Sequence, residues 1–481
     1  KVERCTTCHL GITNPDYVDA VQPYTTHPNL ELYVGKNSPH PIEEFGCTAC
    51  HGGRSRSTEF SGAAHTPRNA AQKKEWEEKH NYHKIELWED PMLPLQYVEA
   101  GCFKCHSEQS SIKGAEKLNV GLDVIERAGC YNCHPMDWYQ DWPKSGPTLT
   151  QLASKLDKEW AYKWIMDPKS FRHTTWMPSF FGQDNNSDDA SRLRSEQEVH
   201  AMVHYLFENS EDFEFQYTPG KGDSKRGEEI VKSIGCMACH KVEDKEDTQL
   251  TANNLRQQFG PALTGIASKT SKEWVYNWVK DPQRYHPETR MPSLRLSDQE
   301  AADVTEYLFA NRNTDFEKTA VPPINKEKLD EIVYGFLVKS DTAKKARVKL
   351  DKMSQNDKLS FAGEKLIGQY GCYSCHDIKG FEDTKPIGVD LTEIGSKPLH
   401  NFDFGFIHID HTNYGWMRKK LENPRIFDRG KEKKPDEKLL MPNFYLSDEE
   451  LDAAVTALLG FTAKNTVKNK IYPRTPDNLT L

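Results

Sequence analysis

The sequence predicts a mainly α-helical fold, and three observations support this. A unit that opens and closes with an amphipathic helix occurs three times between residues 113 and 470. The pattern Cys-x-x-Cys-His occurs six times and accounts for all twelve cysteines. Hydrophobic residues make up only 36% of the 481 residues, so a conventional aliphatic core would be thin. We therefore expect bound apolar groups to complete the interior.

The Cys-x-x-Cys-His pattern is the attachment site of a c-type haem. Its two cysteines form thioethers with the haem, and its histidine is the proximal ligand of the iron. We therefore expect six covalently attached haem c groups. The attachment cysteines are Cys5, Cys8, Cys47, Cys50, Cys102, Cys105, Cys130, Cys133, Cys236, Cys239, Cys372 and Cys375. The proximal iron ligands are His9, His51, His106, His134, His240 and His376.

Three other uses of paired cysteines fit this sequence less well. Zinc ribbons do not require a histidine after every second cysteine. Disulfides are plausible outside the cytoplasm, but pairs within Cys-x-x-Cys stabilise a fold poorly. Thioredoxin-like motifs need a βαβ context that this sequence lacks.

Charge and hydropathy limit the classes of partner. The formal net charge of −9 disfavours nucleic acid and suits a basic electron-transfer protein. The sequence contains no run of about twenty apolar residues, the length that spans a bilayer. Because haem is attached to these motifs outside the cytoplasm, we expect a periplasmic location, with an export signal or membrane anchor preceding Lys1.

Residues 1–112 are expected to form an irregular tri-haem module stacked around its cofactors. Proline and glycine are frequent, and one helix is predicted over residues 69–84. Spare histidines are concentrated here, which favours bis-histidine ligation of the three irons. Neighbouring prolines fix the backbone of the expected distal ligands, His27, His40 and His65. Lower-ranked candidates are His83, His80 and Met92, and the pairing of ligands with irons stays open.

From residue 113 the chain consists of three copies of one unit: copy one (113–215), copy two (216–312) and copy three (356–470). A charged linker is predicted over 313–355 and a tail over 471–481. In each copy a glycine lies nine residues before the first motif cysteine, at Gly121, Gly227 and Gly363. A Trp-bearing helix and a Met-Pro pair follow the motif. The final helix is predicted to begin at a serine N-cap, at Ser195, Ser297 and Ser447.

This order of landmarks resembles that of class I cytochrome c domains. The resemblance implies that the first and last helices of each copy cross. It also implies that a methionine on a later loop, Met177, Met291 or Met441, is the distal iron ligand. Methionine ligation raises the reduction potential of a haem, so we expect the three C-terminal haems to be the high-potential set.

Three functions remain open at this point. In the first, the chain transfers electrons in a respiratory chain, from bis-histidine to Met/His haems. Residues 45–53 resemble cytochromes that work beside membrane quinol-oxidising complexes. This resemblance implies such a complex as donor, a soluble cytochrome or a terminal oxidase or reductase as acceptor, and membrane association through an N-terminal anchor or the complex itself. In the second, one open iron makes the protein a peroxidase or oxyanion reductase. In the third, it is a subunit of an extracellular conductive filament, which three separate domains fit poorly.

Overall fold

The computed structural model describes residues 3–463 except positions 87, 89, 243–250, 258 and 259. Helices dominate this part of the chain, and its strands are limited to the two-residue parallel pair β1 (Tyr33–Val34) and β2 (His40–Pro41). The prediction of a mainly α-helical fold is confirmed. The predicted tail at 471–481 and the last residues of copy three lie outside the described residues. Within the described residues, every helix is too short or too polar to cross a bilayer.

The N-terminal module consists of short helical turns around one longer helix. Its α-helices are α1 (Ile42–Phe45), α2 (Thr48–His51), α3 (Ala70–His80) and α4 (Phe103–His106), and its 3₁₀ helices are Cys5–Thr7, Pro15–Tyr17 and Leu95–Cys102. The Asn69 side chain caps α3 by accepting a hydrogen bond from the backbone N–H of Gln72. The helix ends before the predicted position 84, because Asn81 adopts the left-handed conformation (φ 49°).

Three helices occur in the same order in all three copies: the helix before the motif, the Trp-bearing helix and the final helix. Copy one contains α5 (Glu116–Ala128), α6 (Cys130–Cys133), α7 (Lys158–Met166), α8 (Pro168–Phe171) and α9 (Asp189–Glu208). Copy two contains α10 (Ser224–Ser233), α11 (Ala252–Gln257), α12 (Lys272–Lys280), α13 (Pro282–Tyr285) and α14 (Asp298–Phe309). After α15 (Thr314–Lys318), α16 (Lys326–Leu337) and α17 (Ala343–Lys352), copy three contains α18 (Gln355–Tyr370), α19 (Cys372–Cys375), α20 (Asn413–Glu422) and α21 (Asp448–Gly460). The remaining 3₁₀ turns are Asp137–Tyr139, Leu152–Ser154, Cys236–Ala238, Ile266–Ser268, Ile394–Ser396, Leu399–Asn401 and Ile426–Asp428.

Copy two folds on itself, whereas copies one and three exchange halves. In copy two, α10 packs along α14. In the other two copies, α5 of copy one packs along α21 of copy three, and α18 of copy three packs along α9 of copy one. Copies one and three are therefore not arranged as two sequential domains. We name the resulting units A (116–134 with 388–460), B (355–376 with 146–208) and C (224–309).

A glycine lies at each helix crossing. An alanine Cβ at Gly121 would lie 1.9 Å from the carbonyl oxygen of Ala453, far inside van der Waals contact. A Cβ added at Gly363 would lie 2.2 Å from the carbonyl oxygen of Ala201. A Cβ added at Gly227 would lie 2.0 Å from the carbonyl oxygen of Asp303. These helices approach so closely that a side chain at the glycine position does not fit. The glycine nine residues before each motif is thus a packing requirement.

Alanine at the crossing glycines is therefore expected to destabilise the protein. Gly121→Ala and Gly363→Ala should each lower the free energy of unfolding by about 1–3 kcal/mol, because overpacking forces the helices apart. Gly335→Ala is the matched control, since it also lies in a helix but has no atom within 4 Å of the added Cβ. That control should be neutral or stabilising by about 0.5–1 kcal/mol. Equal denaturant midpoints for all three variants would contradict the close crossing.

Residues 313–355 are not the solvated linker that the sequence predicted. Helix α16 packs against α9 and α18, and its side chains Leu329, Ile332 and Val333 are at most 1% exposed. Their spacing along the helix places them on one face. The charged residues of this segment therefore cover the outside of a helix that completes the core of unit B.

The predicted final-helix caps are confirmed in two copies and wrong in one. Ser297 and Ser447 each form a capping box with a glutamate three residues later. Ser195 instead lies inside α9, where it is 4% exposed and donates a hydrogen bond to the Ser191 carbonyl. The helix begins earlier because Asp188 caps it by accepting a hydrogen bond from the Ser191 N–H.

Candidate haem sites

In the N-terminal module each motif histidine faces one of the three expected distal histidines. The ring centroids are 6.3 Å apart for His9 and His65, 6.1 Å for His51 and His27, and 5.9 Å for His106 and His40. With a metal–nitrogen bond of about 2 Å on each side, two imidazoles that share one metal have centroids roughly 6 Å apart. All three spacings therefore fit an iron held between two histidines.

Backbone carbonyls orient most of these rings. The Nδ1 atoms of His9, His40 and His65 lie 3.1, 2.9 and 2.8 Å from the carbonyl oxygens of Pro23, Leu32 and Phe60. An Nδ1–H that donates to a carbonyl leaves Nε2 unprotonated and available to a metal. The bridge that pairs Tyr33 with His40 holds His40 in place from the backbone side. Backbone contacts thus orient these expected ligands.

Burial keeps these imidazoles neutral. It lowers the pKa of His9 and of His65. The pKa of His51 falls to about 4, first through burial and then through the neighbouring charges of His27 and His9. At neutral pH these three rings therefore carry the free nitrogen lone pair that ligation of iron requires.

The lower-ranked candidates lie elsewhere in the module. The His80 ring packs against the Phe60 ring at 5.0 Å and the residue is exposed. His83 is also exposed, and its Nδ1 is 3.4 Å from the carbonyl oxygen of Asn81. The Met92 side chain packs against Gly53, where an added Cβ would lie 2.6 Å from the Met92 Cγ. None of the three forms a ring pair or hydrogen bond with a motif histidine among the described contacts.

In units A, B and C a backbone carbonyl orients the motif histidine of the unit. This carbonyl lies on a loop that follows a haem motif. The Nδ1 of His240 lies 2.8 Å from the carbonyl of Pro261, within copy two. His376 makes the same contact with Pro147 at 2.8 Å, and His134 makes it with Val389 at 2.8 Å. The latter two contacts join copy one to copy three. The exchange of segments therefore extends to the iron ligands themselves.

Indole nitrogens orient two of the three expected methionine ligands. Trp164 Nε1 donates to the sulfur of Met177 at 2.8 Å, and Trp278 Nε1 donates to the sulfur of Met291 at 2.9 Å. In copy three the equivalent helix position, the third residue from the end of the helix, is Lys420, so this copy has no indole at that place. These contacts between tryptophan and methionine were not predicted from the sequence. The identical 13-residue spacing of tryptophan to methionine in copies one and two was the available sequence signal.

Units A and B face each other through equivalent parts. The side chains of Cys133 and Cys375 are in contact, so the two motifs meet. Two residues after the expected ligands Met177 and Met441, Ser179 and Asn443 form a reciprocal pair of backbone hydrogen bonds of 2.8 and 2.9 Å. Both ligand loops and both attachment motifs therefore meet across one interface.

In the N-terminal module, each haem motif is in contact with the next one along the chain. The sulfur atoms of Cys5 and Cys47 lie within 4.8 Å of each other and of a Glu3 carboxylate oxygen. Glu3 accepts hydrogen bonds from the backbone N–H groups of Cys47 and Thr48, which accounts for its position at the start of α2. The second motif touches the third at Gly101, where an added Cβ would lie 2.3 Å from the Cys50 carbonyl oxygen.

The third motif is in contact with unit A. The Phe103 ring lies between Cys102 and Cys105 in the sequence and packs on Phe461 at 5.0 Å and on Trp138 at 5.2 Å. Trp138 follows the His134 motif by four residues. Aromatic side chains thus fill the contact between the module and unit A.

Comparison with known proteins supports these sites in part. The family model for cytochrome c matches two segments, residues 224–310 and 361–459, together less than half of the chain. Over 235 residues the chain is 26% identical to cytochrome c oxidase subunit 2 of Bacillus subtilis (strain 168). That match covers 41% of this chain and 64% of the relative, so the chain spans less than two thirds of the relative's length. No solved structure gives a significant match. The two matched segments include the motifs of His240 and His376, so these two parts of the chain are similar to cytochrome c.

Proposed function

We propose that this chain is a c-type cytochrome, an electron-transfer protein with six covalently attached haem c groups. The single observation that carries the proposal is the set of three histidine pairs with centroids 5.9–6.3 Å apart. In units A, B and C, we assign Met441 to His134, Met177 to His376 and Met291 to His240. Each iron then has two protein ligands, which leaves no coordination position for a substrate. One-electron reduction and oxidation of iron is the chemistry that haem supplies when bound.

Contacts between the motifs from His9 to His376 support one order of the path, and the packing of unit C on unit B adds His240 as its last site. The path runs from His9 to His51 and His106, then to His134 in unit A, His376 in unit B and His240 in unit C. Methionine ligands in the three units raise their reduction potentials above those of bis-histidine sites. Electrons therefore enter at the N-terminal module and leave from unit C.

Unit C is the proposed exit because, among the described residues, its motif is more exposed than those of units A and B. Cys239 is exposed, and the flanking side chains of Ile234 and Met237 are 36% and 45% exposed. The corresponding motifs of units A and B cover each other. A partner can therefore approach unit C closely, which electron transfer between proteins requires.

We assign the protein to the extracytoplasmic side of a membrane, where haem c is attached. A quinol-oxidising membrane complex is the proposed donor, and a soluble cytochrome or a terminal oxidase or reductase is the proposed acceptor. The similarity to an oxidase subunit supports a respiratory setting. The resemblance of residues 45–53 to cytochromes of quinol-oxidising complexes supports the donor.

Near-infrared magnetic circular dichroism of the oxidised protein tests the ligation. We expect three bis-histidine and three Met/His signals and no high-spin signal. Replacing His27, His40 or His65 with alanine should convert one bis-histidine haem to a high-spin form that binds carbon monoxide. His83→Ala is the matched control and should leave the spectrum unchanged. A high-spin haem in the unsubstituted protein would favour a haem enzyme instead.

A further inference from the structure

Copies one and three each contain a segment that is longer than its counterpart in copy two. In copy one the longer segment lies between Met177 and Ser195, and in copy three it lies between Asn423 and Met441. Each segment adjoins a methionine that is an expected iron ligand. The exchange of halves brings copies one and three together, and these two segments are in contact across the interface of units A and B.

Asn185 lies at the centre of this contact. Its side-chain nitrogen donates hydrogen bonds to the Asp428 carboxylate at 2.8 Å and to the Leu439 carbonyl at 3.0 Å. Its side-chain oxygen accepts a hydrogen bond of 3.3 Å from the Arg425 guanidinium. Both the donor and the acceptor of this copy-one side chain are therefore bound by copy three.

The Arg425 guanidinium connects Asn185 to the backbone of a ligand loop. Its Nε donates to the Met441 carbonyl at 3.2 Å, and one terminal nitrogen donates to the Leu440 carbonyl at 3.1 Å. The Arg425 side chain is 1% exposed. Because a guanidinium is planar and its N–H directions are fixed, three acceptors bound at once determine where it lies. The backbone of Met441 is therefore held from inside the protein.

Nearby carboxyl groups accommodate the buried charge of Arg425. Arginine remains protonated when it is buried. The guanidinium is within electrostatic reach of Asp428 and Glu198. Asp428 is itself fixed, since its carboxylate accepts a hydrogen bond of 2.7 Å from the Leu439 N–H. Loss of the guanidinium would leave three acceptors without this donor, which is costly inside a protein.

Unit A differs from units B and C in the contact that holds its methionine. In units B and C the indoles of Trp164 and Trp278 donate to the methionine sulfur. At the equivalent position of copy three, the Lys420 ammonium donates to the Pro424 carbonyl at 2.6 Å. The contact that reaches the methionine of unit A is the one from Arg425 to its backbone carbonyl.

We infer that Arg425, held by Asn185 of copy one, is the positioning residue for the Met441 ligand of the haem attached at His134. The inference rests on the proposed function, since Met441 is an iron ligand only when haem is bound. Arg425 acts through the backbone of Met441, and Asn185 acts through Arg425. Because Asn185 lies on the segment that follows Met177, this pair joins the ligand loops of units A and B. Ligation of the haem in unit A therefore depends on a side chain of copy one.

Near-infrared magnetic circular dichroism and a spectroelectrochemical titration of the complete protein test this role. Arg425→Gln should remove one of the three Met/His signals and leave the other two. It should also lower one midpoint potential, because methionine ligation raises the potential. We expect at least a tenfold change in the equilibrium constant of reduction, which is about 59 mV for one electron.

Further variants identify the signal that is lost. Met441→Ala should remove the same signal, and Arg425→Gln combined with Met441→Ala should remove no second one. Asn185→Ala should weaken this signal, since Arg425 then loses one of its three acceptors. Asn185 is only partly buried, so its alanine variant provides a test even if Arg425→Gln does not fold.

Two controls separate positioning from charge. Arg425→Lys retains the charge but not the planar set of donors, so it should remove the same signal as Arg425→Gln. Arg429→Gln removes a positive charge from the same contact, where Arg429 pairs with Asp184 at 2.8 Å. This variant should keep all three signals and all potentials. Haem content and far-ultraviolet circular dichroism should match among the variants.

The outcomes distinguish this inference from the proposed function. Three unchanged Met/His signals in Arg425→Gln, or in Asn185→Ala, would overturn the inference. Unchanged signals in Arg425→Lys would assign the effect to charge and would also overturn it, as would a second lost signal in the combined variant. Fewer than three Met/His signals in the unsubstituted protein would instead contradict the proposed ligation on which the inference rests.

Discussion

A chain cut on both sides of copy two should keep copies one and three in one particle. Protease sites at Gly220 and Ala320 would divide the chain into three fragments. Gly220 has no atom within 4 Å of an added Cβ, and Ala320 is exposed, so both positions tolerate insertion. Size-exclusion chromatography of the cut protein without denaturant should show fragments 1–220 and 321–481 in one peak. If each copy folded on itself, fragments 1–220 and 321–481 would elute in separate peaks.

The expected association is strong because two cores are divided between these fragments. In unit A, Leu118 and Leu122 of copy one pack in one cluster with Val455 of copy three. In unit B, Val199 of copy one packs in one cluster with Leu366 of copy three. All five side chains are fully buried, and each burial stabilises by about 1.5–3 kcal/mol.

A second variant provides the control for the cleavage experiment. Gly121→Val with Gly363→Val should release the fragments after cutting, since both exchanged crossings are blocked. Gly227→Val blocks only the crossing inside unit C and should leave the two outer fragments together. Separation of the fragments from the otherwise unsubstituted cut chain would refute the exchange.

The sequence carried more information about the sites than about the connections between them. Spare histidines beside prolines identified His27, His40 and His65, and these are the histidines that face the motif histidines. Motif spacing also identified the crossing glycines. Local patterns sufficed for both, because each ligand or glycine has its own neighbouring sequence signal.

The exchange of copies one and three could not be read from the sequence. Gly121 and Gly363 are equivalent, and so are the helices that they meet, so either pairing satisfies the same pattern. The choice depends on contacts between distant residues. One is the buried hydrogen bond of 2.6 Å from the Tyr370 hydroxyl to Glu198. Another is the hydrogen bond of 3.3 Å that the Arg425 guanidinium, 1% exposed, donates to the side-chain oxygen of Asn185 in copy one.

The exchange also changes the order in which electrons pass the sites, and this is the second large effect that we expect. In sequence order, the site at His376 is the last of the six. In the order defined by contacts, His240 is last and His376 connects it to the rest. A photosensitiser attached through Asp19→Cys delivers electrons at the N-terminal module, because Asp19 is exposed on the loop that follows the first motif. The number of haems reduced in the fast phase then reports which sites remain connected.

Two variants that each lack one attachment site give opposite results under the two orders. Replacing Cys236 and Cys239 with alanine should leave five haems that are all reduced in the fast phase, because only the terminal site is lost. Replacing Cys372 and Cys375 should leave four haems in the fast phase and the haem at His240 in a separate slow phase. If electrons passed the sites in sequence order, the variant without Cys236 and Cys239 would show a separate slow phase for the haem at His376. The variant without Cys372 and Cys375 would show no slow phase. Haem content and far-ultraviolet circular dichroism should match between the variants, since each lacks a single site. The site at His376 would then lie between unit A and unit C on the path, next to the contact between Cys133 and Cys375.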